Sequence, residues 1–126
     1  MRDKVTLYEK PTCTTCRSVK RILTEHGVEI NSVNYFEQPL TAQELKRLLQ
    51  AAGVRPADAV RKNESAYREF VAGKELSEDE LINLMAAHPE LIQRPIVVRG
   101  DQAVLARPVE RLAALGIHAP DVQKKS

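Results

Sequence analysis

The stretch VTLYEKPTCTTCRSVKRILTEHGVEINSVNYF, residues 5–36, predicts a strand, a helix and a second strand. Val5 to Tyr8 is a short β-prone run in which apolar and polar residues alternate. From Cys16 onward the apolar residues recur at the spacing of one helix face, and Gly27 follows as a left-handed helix end. Residues 28–36 are β-prone again. Because the crossover between such strands is right-handed, the two strands should lie parallel in one sheet.

The middle of the chain, roughly residues 38–92, is predicted to be a helical insert and not a separate domain. Serine or threonine followed three positions later by glutamate forms a capping box, a pattern that begins helices. One predicted helix begins with the box from Thr41 to Glu44 and ends at Gly53, and another begins with the box from Ser77 to Glu80 and ends near His88. Between them we predict a short turn of helix at Pro56 to Val60 and a helix that is capped by Asn63 and extends to Val71.

The last third of the chain predicts a β-hairpin and a final helix. Two β-prone runs, Arg94 to Arg99 and Gln102 to Arg107, flank the dipeptide Gly100-Asp101. This arrangement is typical of a hairpin with a two-residue turn. Pro108 suits the first position of the last helix. Together these elements predict an α/β protein with the order β-α-β, helical insert, β-hairpin and C-terminal helix.

Composition narrows the class of protein. The 126 residues amount to one domain, 1–126, in which residues 119–126 are predicted to be a frayed tail, and this length excludes a multidomain enzyme. Aromatic residues make up 4% of the chain, so the core should be aliphatic. The net charge of +2 comes without a long basic stripe, which argues against direct binding of nucleic acid.

Targeting signals and cysteine usage indicate the compartment. We find no secretion signal at the N-terminus and no apolar run near the roughly 20 residues of a membrane span. We therefore expect a cytoplasmic monomer with no membrane partner. In that reducing compartment, a cysteine pair separated by two residues points to redox chemistry or metal binding, not to a structural disulfide.

Cys13 and Cys16 are the candidate catalytic residues. Cys13 lies in the predicted loop between strand and helix, and Cys16 lies on the first helical turn. The exposed amides and the dipole of a helix start favour a thiolate there, so Cys13 is the predicted nucleophile and Cys16 the predicted resolving thiol. A zinc site is disfavoured because the chain has no second cysteine pair and its three histidines are scattered. The alternative is a pair of ordinary core cysteines.

The hairpin register places two arginines opposite each other. If Arg99 pairs with Gln102, then Arg94 stands across from Arg107 at the open end of the hairpin. Like charges in that arrangement are destabilising unless an anion lies between them. Two guanidinium groups suit a tetrahedral oxyanion, which each can bind through two hydrogen bonds. The alternative is two exposed charges at a sheet end.

Four further residues near these positions are candidate binding residues. Arg61 in the helical insert is a possible third guanidinium for the oxyanion. Arg17 on the first helical turn is a candidate for lowering the thiol pKa, or else an exposed helix charge. Thr14 and Thr15 are candidate hydrogen-bond donors, through their hydroxyls or their backbone amides.

The chain resembles the glutaredoxin-coupled arsenate reductase family, which includes Spx-like relatives, over almost its whole length. The segments that carry the resemblance are YEKPTC at 8–13, VRKN at 60–63, HPELIQRPIVV at 88–98 and ARP at 106–108. The resemblance implies that Cys13 attacks arsenate while Arg61, Arg94 and Arg107 hold the oxyanion. It also implies a thioredoxin-like fold with a mixed four-stranded sheet, in which Pro95 matches a cis-proline beside the reactive cysteine.

Two positions depart from the family pattern. Many arsenate reductases of this family have histidine at the position of Glu9 and serine at the position of Cys16. With Cys16 present, an internal disulfide and thioredoxin could replace glutathione and glutaredoxin as the route of reduction. The expected reductant is therefore one of these two systems, with no tightly bound cofactor and no metal.

Three functions are consistent with these residues. The first is an arsenate-reductase-like thiol oxidoreductase that acts on arsenate or another small oxyanion. The second is an Spx-like regulator in which a Cys13–Cys16 disulfide changes binding to RNA polymerase. The third is a glutathione-dependent thiol reductase whose arginines hold a glutathione carboxylate. The sequence leaves the substrate and the reductant open.

Overall fold

The computed structural model describes residues 4–10, 13–107 and 109–117. The predicted helix start Pro108 and the predicted tail 119–126 lie outside these residues. The elements are β1 (Lys4–Glu9), α1 (Thr14–His26), β2 (Glu29–Asn34), α2 (Ala42–Ala52), α3 (Pro56–Ala59), α4 (Ser65–Phe70), α5 (Glu78–Ala87), a 3-10 turn (Pro89–Leu91), β3 (Ile96–Arg99), β4 (Gln102–Leu105) and a 3-10 helix (Val109–Leu115). No helix among the described residues is long and apolar enough to cross a membrane.

The four strands form one mixed sheet in the order β2-β1-β3-β4. The first two strands are parallel, as the strand–helix–strand pattern predicts. β3 is antiparallel to β1 and to β4. The carboxyl ends of β1 and β2 therefore lie side by side, and the loop with Cys13 begins at that edge of the sheet.

The alternation of side chains along the strands separates two apolar layers. One set of cross-strand neighbours packs with α1 and the C-terminal 3-10 helix: Leu7, Val97 and Val104. The next residue along each strand packs with the helices between β2 and β3: Tyr8, Ile96 and Leu105. The buried residues of both layers are almost all aliphatic, as the composition predicts, with Tyr35 and Met85 as the exceptions in the described part of the chain.

Helix α1 positions the cysteine pair. It begins at Thr14, which puts Cys16 on the first turn as predicted, and Cys13 is its N-cap with an extended backbone at φ −79° and ψ 127°. Val19, Ile22 and Leu23 are buried against the sheet, and each contributes about 1.5–3 kcal/mol by leaving water. Anchored along this face, the helix presents its N-terminal amides next to the end of β1.

The helices between β2 and β3 follow the predicted signals with one correction. Both capping boxes form, at Thr41 and at Ser77. The predicted cap Asn63 is wrong, because α4 begins at Ser65 after Glu64. Val60 is extended in a bridge with Ile92, and Lys62 and Asn63 then form a turn before the helix instead of beginning it.

The hairpin has the predicted two-residue turn. Arg99 pairs with Gln102, and Gly100 has a φ of +63°. A positive φ is required at the first central position of a type II′ turn, and glycine adopts it without strain. The register continues to the open end, where the Ala106 N–H donates to the Pro95 carbonyl at 2.9 Å.

The predicted C-terminal helix is present as a 3-10 helix. Its apolar residues Val109, Leu112 and Leu115 are three positions apart. In a 3-10 helix such residues line up along one edge, which lets Leu112 and Leu115 both reach the core. The Arg99 Nη1 donates to the Leu115 carbonyl at 2.8 Å and so gives this carbonyl, at the C-terminal end of the helix, a hydrogen-bond partner.

Candidate active site

The two thiols lie at the N-terminus of α1, and both are free. Cys13 is half-buried at the N-cap position, while Cys16 is fully buried one turn further along. The helix start offers the Cys13 sulfur a backbone N–H donor, which is the arrangement that favours a thiolate.

The Cys13 thiol has a pKa of about 7, below its ordinary value of 9.0. Burial raises this pKa, but the backbone N–H of Cys16, the Cys16 thiol and the Arg94 guanidinium lower it by more. All three groups donate hydrogen bonds to the sulfur or act on it electrostatically. A substantial fraction of Cys13 is therefore the reactive thiolate at neutral pH.

The Cys16 thiol is held in the opposite state. Burial raises its pKa to about 12, and the hydrogen bond and charge of Cys13 and the charge of Glu9 add to this effect. The backbone N–H of Lys10, which bonds to the same sulfur, opposes it. Cys16 is thus a protonated thiol that donates to the Cys13 sulfur, as a resolving thiol does before its turn to react.

We expect alkylation of the protein by iodoacetamide to follow the ionisation of Cys13 alone. The rate should be half-maximal near pH 7 and fall roughly tenfold per pH unit below it, because the thiolate is the nucleophile. Cys16 should stay unmodified in this range. Mass spectrometry of the labelled protein measures both, and a midpoint near the ordinary value of 9.0 would contradict the predicted environment.

Arg94 is the guanidinium nearest to the reactive thiol. The side chain is buried, and the following peptide bond to Pro95 is cis, as the family resemblance implies. Its Nη1 donates to the Ile92 carbonyl at 3.5 Å, and its Cζ lies 5.6 Å from the centre of the Phe36 ring. With these contacts the Arg94 guanidinium lies beside the Cys13 sulfur and donates a hydrogen bond to it.

The Tyr35 hydroxyl is a second hydrogen-bond partner of the Arg94 guanidinium. Burial raises the pKa of this hydroxyl to about 12, with Arg94 opposing the shift. The protonated hydroxyl donates to the Ile92 carbonyl at 3.2 Å and accepts a hydrogen bond from Arg94. Burial lowers the pKa of Arg94, but Tyr35 and Cys13 raise it by more, so the guanidinium stays charged.

One donor of Arg94 has no partner. Its Nε is buried and makes no hydrogen bond among the described residues. A buried donor left in this state costs about 1–3 kcal/mol. The group therefore offers an unused hydrogen bond close to Cys13, which an anion at this position can accept.

The other two candidate arginines have different partners in the structure. The Arg61 Nε lies 3.3 Å from the Glu64 carboxylate, and its charge acts on the Tyr35 hydroxyl. Arg107 is exposed, and its Nη1 donates to the Arg94 carbonyl at 3.1 Å. Arg107 thus stands at the open end of the hairpin next to Arg94, as the register predicts. It also lines a cavity of about 550 Å³ with Gly53, Val54, Asp58, Gln93, Leu105 and Arg111.

The remaining candidates lie at the start of α1. Thr14 is exposed and Thr15 half-buried, and both precede the first intrahelical hydrogen bond, which the Arg17 N–H makes to the Cys13 carbonyl at 3.1 Å. Their backbone amides therefore lack partners within the helix. The Arg17 side chain is exposed, and the guanidinium that lowers the Cys13 pKa is that of Arg94.

Three residues near the thiols were not among the predicted site residues. They are Tyr35 and Phe36, which contact Arg94, and Glu9, which is 3% exposed. The position of Tyr35 and Phe36 in the sequence could have predicted that they lie near the thiols. Both follow the second parallel strand, whose carboxyl end meets the edge of the sheet from which the cysteine loop leaves.

The similarity to known proteins extends over this whole arrangement. The ArsC family matches residues 8–115, a span that includes both thiols and Arg61, Arg94 and Arg107. The chain belongs to the ArsC family. An arsenate reductase of Escherichia coli K12 is 36% identical over 123 residues, which cover 97% of this chain and 85% of that protein.

Other ArsC relatives agree in sequence and in structure. The protein YfgD of Escherichia coli K12, described as uncharacterized, is 38% identical over 114 residues, covering 89% of this chain and 96% of that protein. The structure of an arsenate reductase from Vibrio cholerae superposes with a TM-score of 0.84 at 36% identity, covering 90% of this chain and 98% of that one. The thioredoxin-like fold implied by the resemblance is confirmed.

Proposed function

We propose that this ArsC protein is an arsenate-reductase-like thiol oxidoreductase with Cys13 as the nucleophile. The observation that carries the proposal is a thiol with a pKa of about 7 beside a buried guanidinium whose Nε donor has no partner among the described residues. A guanidinium donor favours a negatively charged oxygen both by its charge and by its hydrogen bond. An oxyanion substrate uses it, because the donor can pair with an oxygen of the substrate while the sulfur attacks the central atom.

The reaction proceeds in two steps, formation of an adduct between sulfur and arsenic and its reduction by a second thiol. The Cys13 thiolate attacks the arsenic of arsenate, an S–As bond forms, and one oxygen leaves as water after protonation. A second thiol then attacks the Cys13 sulfur, so that an S–S bond forms and the electron pair of the S–As bond passes to arsenic. Two thiols are oxidised to a disulfide and arsenic is reduced from the +5 to the +3 state, leaving as arsenite.

Three arginines and the helix start hold the oxyanion in this proposal. Arg94 contributes its free Nε donor, and Arg107 contributes from the opposite strand at the open end of the hairpin. Arg61 exchanges the Glu64 carboxylate for the substrate, since both are oxyanions of the same sign. The backbone amides of Thr14 and Thr15 provide two more donors at the positive end of the helix.

Cys16 supplies the second thiol within the same chain. Its hydrogen bond to the Cys13 sulfur shows that the two sulfurs are already adjacent. The product is then an internal disulfide that thioredoxin can reduce. Glutathione with glutaredoxin remains the alternative, in which glutathione attacks the Cys13 adduct directly.

The test is arsenate-dependent oxidation of NADPH in two coupled assays. One contains thioredoxin and its reductase, and the other contains glutathione, glutaredoxin and glutathione reductase. We expect turnover with arsenate in the thioredoxin system, with arsenite as product. Turnover of a glutathione mixed disulfide without any turnover of arsenate would instead support the thiol reductase. Turnover of neither substrate would refute both enzymatic functions and leave the regulator that binds RNA polymerase.

A further inference from the structure

Glu9 is a buried carboxylate next to the resolving thiol. It is the last residue of β1 and is 3% exposed. Its Oε2 lies 3.6 Å from the Nζ of Lys20, an ammonium that is half exposed on α1. A carboxylate is rarely buried without a partner, and this ion pair balances its charge on the solvent side.

Cys16 lies on the interior side of the same carboxylate. The thiol is 0% exposed, and the Lys10 backbone N–H, next along the chain from Glu9, donates to its sulfur. Lys20 is one helical turn after Cys16, on the same face of α1. Glu9 lies on the same face of β1 as the buried Val5 and Leu7, which is the face that packs against α1, and its charge acts on the Cys16 thiol.

The proposed second step creates a need for a proton acceptor in this interior. A thiol must lose its proton to attack a sulfur, and water cannot reach the fully buried Cys16. The Cys13 sulfur carries the adduct at this stage and is no longer a thiolate. The Lys10 N–H donates a hydrogen bond, and the Tyr35 hydroxyl donates to Ile92.

These neighbours leave one acceptor among the described residues. The titratable and charged groups in this region are Glu9 itself, Lys10, Cys13 at the N-cap of α1, Cys16 and Lys20 on α1, Tyr35 and Arg94. The ammonium of Lys10 itself lies 4.8 Å from the Phe36 ring centre. Of this set, the Glu9 carboxylate is the group that accepts protons and is not already used in the reaction.

We propose that Glu9 accepts the proton of Cys16 when Cys16 attacks the adduct on Cys13. The S–H bond of Cys16 breaks and its proton passes to a carboxylate oxygen of Glu9. The sulfur electron pair forms the Cys13–Cys16 bond, and the adduct leaves with the electron pair of its bond to Cys13. The step rests on the proposed function only in that Cys16 resolves a Cys13 adduct, whatever the adduct is.

A purely electrostatic role for Glu9 makes the opposite prediction. A negative charge beside Cys16 disfavours its thiolate, so removal of that charge alone would speed the attack. Removal of a proton acceptor would slow it, because general base catalysis contributes about 100-fold or more. The sign of the change in rate therefore separates the two roles.

The experiment uses one equivalent of dithiobis(nitrobenzoate) with the reduced full-length protein in stopped flow. Attack by Cys13 releases a first thionitrobenzoate, and attack by Cys16 on the resulting mixed disulfide releases a second. The chain contains two cysteines in total, so each phase belongs to one thiol. The Cys16→Ser variant should show the first phase only, which identifies the second.

For Glu9→Gln we expect the second release to slow at least about tenfold at neutral pH, while the first changes less than about twofold. Glu9→Asp should restore much of the second rate because it keeps a carboxylate. The matched control is Glu25→Gln, which removes an exposed carboxylate from α1, the helix that carries Cys16, and should change neither phase.

A second release in Glu9→Gln that is equal to or faster than wild type overturns the proposal. So does an equally slow Glu9→Asp, which would indicate a structural role. If Glu9→Gln does not fold by circular dichroism, the wild-type protein in D2O decides: a second release that is slower in D2O supports proton transfer in this step, and one that is equal or faster refutes it. Because the reagent contains no arsenic, failure here is distinct from failure of the arsenate assay.

Discussion

Replacement of Cys13 by serine is expected to abolish arsenate-dependent turnover in both coupled assays, by about a thousandfold or more. The sulfur is the atom that bonds to arsenic and later accepts the second thiol, and a hydroxyl can do neither at neutral pH. The substitution keeps the size of the side chain at the N-cap of α1, where serine is a favourable residue. Loss of activity should therefore occur without loss of stability.

Replacement of Cys16 by serine separates the two routes of reduction. We expect the variant to keep activity with glutathione and glutaredoxin, since an external thiol can resolve the adduct, and to lose most activity with thioredoxin. The Cys13 pKa should rise, because the Cys16 thiol is one of the groups that lower it. Arsenite release measured directly tests both variants, and equal release from wild type and Cys13→Ser would refute the mechanism.

Replacement of Arg94 by methionine is the second large expected effect. Arg94 donates to the Cys13 sulfur and also holds a free Nε donor, so the variant loses thiolate stabilisation and oxyanion binding together. Loss of one preorganised donor to a developing charge lowers turnover about 100-fold to 1,000-fold. We also expect the midpoint of Cys13 alkylation to move from about 7 toward the ordinary value of 9.0.

Two further variants make this prediction specific. Arg94→Lys keeps a positive charge, so it should restore part of the alkylation midpoint. It should not restore the KM for arsenate, because an ammonium lacks the two-pronged geometry of guanidinium. Arg21→Met removes an exposed arginine from α1 and should change neither quantity. An Arg94→Met enzyme with wild-type KM and alkylation midpoint would exclude Arg94 from the site.

Local patterns predicted most of the framework. The strand, helix and strand of residues 4–34, both capping boxes and the Gly100-Asp101 turn are present as the sequence indicates. Each of these depends on residues within a few positions of one another. The error arose at Asn63, which lies in a turn after the bridge between Val60 and Ile92 and does not cap α4. The local pattern predicted a helix at the end of the chain but not the 3-10 geometry of Val109–Leu115.

Part of the candidate site also follows from local sequence, and part depends on contacts between distant segments. The position of Cys13 at a helix start follows from the chain around it, and so does the proximity of Cys16 one turn later. The choice of Arg94 as the guanidinium in contact with the thiol does not, because three arginines matched the family pattern and the structure gives Arg61 and Arg107 other partners. The burial of Glu9 could not be inferred from its neighbours in sequence.

The amino-acid sequence by itself determined most of the secondary structure, the parallel pairing of the first two strands and the placement of two thiols at a helix N-terminus. These features depend on backbone geometry and on the spacing of apolar residues, both of which are local. Only the tertiary structure decided which charges meet those thiols: Arg94 with Tyr35 on one side, and Glu9 with Lys20 on the other. Their approach depends on sheet order and on packing between segments far apart in the chain, for which side-chain periodicity specifies a face but not a partner.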